Sequence, residues 1–221
     1  MKKVGDWWLA DDDTYFPQFA ADGFQIDHLH AAFKHINHWR VAVDVGAHTG
    51  FWTKEMAARF EVVHAFEPAD DSFECLSANL AGCANVTLYH AAAGLKAGFC
   101  FLKEDARRPG NTGARFIEPT VGETPMKAID DLELPHCDFL KIDVEGFEYQ
   151  VLRGAMQTIR RCQPVISMET DKPFAKVRYG VSDNKAELDL IGLGYKVVEH
   201  MRPDKVFVWG AAAPRKSCGV T

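Results

Sequence analysis

The run Val41-Ala42-Val43-Asp44-Val45-Gly46-Ala47-His48-Thr49-Gly50, followed by Phe66-Glu67-Pro68, constrains this chain most. An apolar, β-branched stretch closes on a glycine-bearing turn. A helix-forming stretch follows, then a second apolar run that ends on an acid. This is the layout of a βαβ unit that binds a nucleoside. Gly46 permits a tight turn, and Gly50 permits close approach of backbone to a ligand at the helix start. Glu67 lies 21 residues after Gly46, where an acid can accept hydrogen bonds from both ribose hydroxyls.

The glycines do not have the G-x-G-x-x-G spacing of a dinucleotide site, and no G-x-x-x-x-G-K-[ST] phosphate loop is present. Asp44-x-Gly46-x-x-x-Gly50 instead resembles the first motif of Rossmann-like, S-adenosylmethionine-dependent methyltransferases. A second block strengthens the resemblance. Lys141-Ile142-Asp143-Val144-Glu145-Gly146 precedes Glu148, Val151-Leu152 and Gly154, and Pro164-Val165-Ile166-Ser167-Met168-Glu169 follows. Together with Glu67-Pro68, Asn85-Val86 and Ala128-Ile129-Asp130-Asp131-Leu132, this order resembles the FkbM-like methyltransferase family over roughly residues 41 to 170. His48 stands where that family often has Asn. The resemblance implies a class I α/β fold: a Rossmann-like, doubly wound, mostly parallel seven-stranded sheet with an antiparallel last strand. It also implies S-adenosylmethionine as cofactor.

Bulk properties agree with a soluble enzyme. The 221 residues suffice for one domain with a sizeable core. Hydrophobic residues at 47% and charged residues at 25% are ordinary for a globular chain. The net charge of -6 argues against a binder of phosphate backbone, and the short basic pairs Arg107-Arg108 and Arg160-Arg161 are expected on solvated surface. No apolar run is long enough to span a bilayer, and Met1 to Leu9 lacks the apolar core of a signal peptide. The six cysteines form no C-x-x-C pair and no zinc spacing. They are expected as reduced thiols of a cytoplasmic protein.

Along the chain, residues 1–40 are expected as an N-terminal helical extension packed on the sheet, residues 41–210 as the methyltransferase domain, and residues 211–221 as a flexible tail. Phe24, Leu29, Phe33 and Ile36 fall near helical spacing. His28, His30, His35 and His38 share no single face and are expected on a hydrated helix surface. Strands are expected at 41–45, 62–66, 86–92, 139–142 and 165–168, with paired final strands at 195–198 and 206–209. Helices are expected at 51–60, 69–80, 147–162 and 183–193, and an added strand at 98–102. Residues 104–123 hold Pro109, Gly110, Gly113, Pro119 and Gly122, the composition of a long loop. Such a loop either covers a ligand site or is a surface insertion.

Ligands of open α/β sheets lie at the carboxyl ends of the strands. Candidate cofactor contacts are therefore Asp44, Gly46, Gly50, Glu67, Ala92, Ala93 and Asp143. Four strand-end carboxylates suit a sulfonium and its ammonium group better than a pyrophosphate. Methyl transfer to an alcohol needs alignment of the reacting atoms and a group that removes the proton. Glu145, Glu169 and His48 are the catalytic candidates. Asp143, Glu145 and Glu169 are also conceivable oxygen ligands of a divalent ion, an alternative not favoured here. The expected reaction is O-methylation of a sugar, glycan or other small hydroxylated metabolite. The rivals are a nicotinamide-dependent oxidoreductase and a non-catalytic nucleoside-binding module. A nucleic-acid methyltransferase is set back by the acidic balance and by the lack of an N/D-P-P-Y-type motif.

Overall fold

The computed structural model describes residues 1–118 and 122–210. The expected tail, 211–221, with Cys218, lies outside the described residues. The chain opens with a hairpin, β1 (Lys2–Val4) and β2 (Trp7–Leu9), which turns through Gly5 at φ 58°. A 3-10 turn (Phe16–Phe19) and helix α1 (Ile26–Phe33) follow. The alternating core then runs β3 (Val41–Val45), α2 (Phe51–Ala57), β4 (Val62–Phe66), α3 (Asp70–Asn79) and β5 (Val86–Tyr89). An inserted segment carries β6 (Ala92–Ala93), β7 (Gly98–Lys103), β8 (Phe116–Glu118) and β9 (Thr124–Lys127). The core resumes with β10 (Phe139–Ile142), α4 (Glu148–Gly154), α5 (Met156–Cys162) and β11 (Val165–Glu169). It closes with α6 (Phe174–Tyr179), α7 (Lys185–Leu193), β12 (Tyr195–Met201) and β13 (Asp204–Trp209).

The main sheet has seven strands in the order β12-β13-β11-β10-β3-β4-β5. β10 pairs parallel with both β3 and β11, and β3-β4-β5 continue parallel. β13, the last strand in the chain, runs antiparallel to β11 and β12. This is the expected doubly wound sheet with an antiparallel last strand. Its strand order reverses between β3 and β10.

Burial explains which strands sit centrally. Every residue of β3, β10 and β11 is buried, as befits parallel strands covered on both faces. Val43 and Val45 pack with Leu140, Ile142, Val151, Leu152 and Ile159 on one face. Ala42 and Phe139 pack with Leu29, Phe33, Trp52 and Met56 on the other. Fully burying each such large side chain contributes about 1.5–3 kcal/mol. The same alternation puts Asp44 and Lys141 on the α2 face, directly opposite each other in register.

Several boundaries differ from expectation for visible reasons. The third strand ends at Tyr89, and Ala92–Ala93 belong to a second, four-stranded sheet, paired with β9. The expected helix 147–162 is broken at Ala155 (φ -112°, ψ 5°) into α4 and α5, and Asp130 accepts from the amides of Gln157 and Thr158 at the start of α5. The N-terminal residues form a hairpin as well as a helix. Asn79 clamps that hairpin, accepting from Trp8 N (2.7 Å) and donating to Trp8 O (2.9 Å). His28 and His35 do not face water alone: their rings meet Asp204 (2.7 Å) and Glu199 (3.2 Å). Helix α6 had no sequence expectation. No helix among the described residues is long and apolar enough to cross a membrane, and no disulfide joins the described cysteines.

Candidate active site

The carboxyl ends of β3, β4, β10 and β11 open into a cavity of about 590 Å³, a size typical of sites for ligands of cofactor dimensions. The sheet side brings together Gly46, His48, Glu67, Asp143, Glu145 and Glu169, with Ala92 and Ala93 beside them. The opposite wall is made by Tyr15, Phe16 and Phe24 of the N-terminal segment, Trp52 of α2, and residues 108–117. Part of the expected loop at 104–123 thus lines the cavity, from Arg108 to Ile117, with Thr112–Ala114 a 3-10 turn and Phe116–Glu118 a strand; residues 119–121 lie outside the described residues.

Two expected cofactor contacts are not on this wall. Asp44 is fully buried behind the turn. It accepts from Thr53 Oγ1 at 2.6 Å, and its other oxygen lies 3.1 Å from Lys141 Nζ. Lys141 also donates to the Gly46 carbonyl (2.6 Å). Asp44 therefore shapes the turn from beneath. Gly50 is needed for packing: it has φ 96°, and a Cβ there would meet Leu76 Cδ1 at 2.8 Å. Gly46 faces the cavity, but its most stringent constraint is also internal, since a Cβ would approach the Asp143 carbonyl oxygen to 2.0 Å.

Glu67 is 7% exposed, and its carboxylate is set by two backbone amides. His48 N donates to Oε2 (2.8 Å) and Ala69 N to Oε1 (2.9 Å). Each oxygen retains acceptor capacity. Burial pushes its pKa up to about 7, against the opposing effect of those two amides.

Glu145 sits in the left-handed region at φ 57°. Arg108 donates to both its oxygens (3.1 and 2.6 Å), and Lys172 Nζ lies 3.4 Å away. Arg178 donates to the Glu145 carbonyl and is packed between the rings of Phe116 (4.0 Å) and Phe174 (4.2 Å). Glu148 holds this loop from within: its buried carboxylate accepts from Gly146 N (2.9 Å) and Val144 N (3.3 Å). Desolvation raises the Glu148 pKa to about 7.

Glu169 is buried and faces a single cation, Lys172. Oε1 lies 2.5 Å from Lys172 Nζ, while Oε2 is buried with no hydrogen-bond partner. Burial holds its pKa well above the usual range, reinforced by Asp143 and opposed by Lys172. His48 is constrained differently. Its Nε2 is 2.7 Å from Thr112 Oγ1, and Thr112 donates to Asp13 Oδ2 at 2.5 Å. The Thr112 hydroxyl proton being committed to Asp13, His48 Nε2 must carry a proton and donate it. Burial lowers the His48 pKa to about 4. In this arrangement the ring donates to Thr112, and burial weakens it as a base.

Arg108, Thr112, Lys172, Arg178 and Asp13 were not singled out from sequence. Arg107-Arg108 had been assigned to solvated surface. Arg107 is exposed, but Arg108 reaches into the wall with 27% of its side chain exposed. As for a divalent ion on Asp143, Glu145 and Glu169, no group of three or more His, Cys, Asp or Glu among the described residues is arranged to hold a metal. The charges of Glu145 and Glu169 are met by Arg108 and Lys172 instead.

Comparison with known proteins places this geometry in a family. The family model described as the methyltransferase FkbM domain matches residues 44–197. The chain belongs to the FkbM methyltransferase domain family. Among solved structures it is similar to methyltransferase FkbM from Methylobacillus flagellatus KT, with TM-score 0.54 and 19% identity over 77% of this chain and 43% of that one. It thus spans less than half the length of that protein. It is also similar to precorrin-6y C5,15-methyltransferase from Geobacter metallireducens GS-15 (TM-score 0.52, 16% identity, 93% and 97% of the two chains). Precorrin 8W decarboxylase from Methanobacterium thermoautotrophicum gives TM-score 0.50 and 17% identity over 91% and 97%. At these identities the likeness is one of fold. No curated protein matches the chain.

Proposed function

We propose that this FkbM-domain protein is an S-adenosylmethionine-dependent O-methyltransferase acting on a hydroxyl of a sugar, glycan or other small hydroxylated metabolite. The observation that carries the reading is Glu67: an acid at the end of the second core strand, aimed into the cavity by two backbone amides. The residues fit the cofactor. Glu67 would accept the ribose hydroxyls, Gly46 and Asp143 would flank the methionine end, and Ala92 and Ala93 would flank the adenine. When bound, S-adenosylmethionine supplies a methyl group already activated on a sulfonium.

The chain's own work is then alignment and proton removal. An alcohol proton must leave as the new bond forms, and the group that takes it must be in reach and ionised. Glu145 is the poorer candidate, because Arg108 occupies both of its oxygens. Glu169 offers an unpartnered buried oxygen, and Lys172 beside its other oxygen favours the ionised form against burial. It is the base in this reading, with Lys172 holding its other oxygen. The aromatic wall of Tyr15, Phe16, Phe24 and Trp52 offers flat apolar faces on which a sugar ring can stack.

The family assignment leaves the nicotinamide-dependent oxidoreductase without support. The test is transfer of labelled methyl from S-adenosylmethionine to a pool of sugars and hydroxylated metabolites. Wild type should label an acceptor, and Glu169→Gln should lose at least a hundredfold in turnover while binding S-adenosylhomocysteine normally. Equal turnover by the variant would overturn the assignment of Glu169. Binding of S-adenosylhomocysteine without any transfer would instead favour the non-catalytic nucleoside-binding module.

A further inference from the structure

The family domain begins at residue 44, yet part of the cavity wall comes from residues before it. Asp13 is fully buried, as few carboxylates are. One of its oxygens accepts from the amides of Tyr15 and Phe16 (2.8 and 2.9 Å). The other accepts from Thr112 Oγ1, which in turn accepts from His48 Nε2. The hydrogen bonds run in one direction, from imidazole to hydroxyl to carboxylate. His48 is strained at φ 52°, a conformation that a non-glycine residue keeps only where its surroundings enforce it. Its own backbone amide is one of the two donors that orient Glu67.

The segments carrying Asp13 and Thr112 fit each other closely. Thr14 N and Tyr15 N both donate to the Gly110 carbonyl (2.8 and 3.2 Å). A Cβ at Gly110 would strike Thr14 Oγ1 at 2.2 Å, and one at Gly113 would strike the Phe16 ring at 2.9 Å. Phe16 also packs on the His48 imidazole, with ring centroids 4.2 Å apart. Glycine at 110 and 113 is what allows the two segments to meet over the cavity.

We propose that Asp13 and Thr112 are positioning residues for the ribose of the cofactor. They hold the His48 imidazole, the imidazole holds the residue in its left-handed conformation, and the His48 amide thereby aims Glu67. The proposal rests on the cofactor assignment above and adds that the site is completed by a segment outside the family domain. Loss of the chain from Asp13 to His48 releases Glu67, and at Asp13, which does not line the cavity, it does so without altering the cavity wall.

The test is titration of the full chain with S-adenosylhomocysteine, for wild type, Thr112→Val, Thr112→Ser and Asp13→Asn, each with its ligand-free melting temperature. Thr112→Val and Asp13→Asn should bind at least tenfold more weakly than wild type, and Thr112→Ser within threefold of it. Melting temperatures should not follow that order. Wild-type affinity in Thr112→Val, or equal losses in Thr112→Val and Thr112→Ser, would overturn the proposal. Should Thr112→Val fail to fold, the same comparison rests on Asp13→Asn, which keeps the carbonyl oxygen for the Tyr15 and Phe16 amides. No binding by wild type would refute the cofactor assignment itself, an outcome distinct from the other two.

Discussion

Glu67 shows how one residue carries a testable pH dependence. On the proposed function it accepts two ribose hydroxyls, for which it must be ionised, and burial pushes its pKa up to about 7. Protonation in the free protein therefore competes with ligand. Affinity for S-adenosylhomocysteine should rise with pH through about 7 and level off above it, and Glu67→Gln should flatten the profile. Each hydrogen bond to a charged group contributes about 1.5–3 kcal/mol, so losing both in Glu67→Ala should weaken binding by roughly a hundredfold or more. A calorimetric series from pH 5.5 to 8.5 measures both. Glu67 was legible in sequence, because its place after an apolar run and before Pro68 marks a strand end. Asp44 lies off the cavity wall for a reason also visible in sequence. It alternates with Val43 and Val45, so it points to the opposite face, where Lys141 awaits it on the neighbouring strand.

At the scale of elements, that buried contact joins neighbouring residues of β3 and β10. Removing one partner leaves an uncompensated charge, a loss of about 3–5 kcal/mol. Lys141→Met should therefore lower stability by that order in denaturant unfolding, and Asp44→Asn combined with Lys141→Met should recover part of it. The start of α4 has a different sensitivity. Glu148 has a folded pKa of about 7 against an ordinary 4.5. Its contribution to stability is full below about 4.5 and is lost as pH rises through about 7. The ligand-free melting temperature should fall less between pH 5 and pH 8.5 in Glu148→Gln than in wild type. Elements with strong periodicity were legible: β3, β4, β10 and α7 fall where expected. Helix α6 and the kink at Ala155 were not, because Phe174–Tyr179 is short and the break depends on Asp130 capping α5 from a distant turn.

For the whole molecule, the order β5-β4-β3-β10-β11-β13-β12 puts Gly46, Glu67, Asp143, Glu145 and Glu169 along one edge of the sheet. Motif residues at strand ends are local signals, so most of the cavity floor could be listed from sequence. The roof could not. Asp13 meets Thr112 across 99 residues and Arg108 meets Glu145 across 37, and neither contact leaves a periodic trace. On the proposed function, this cavity holds S-adenosylmethionine through Glu67. The most direct test is calorimetric titration of the full chain with S-adenosylhomocysteine and, separately, with NAD. Binding of the first only is expected, strongly weakened in Glu67→Ala. Binding of NAD, or undiminished binding by Glu67→Ala, would contradict it.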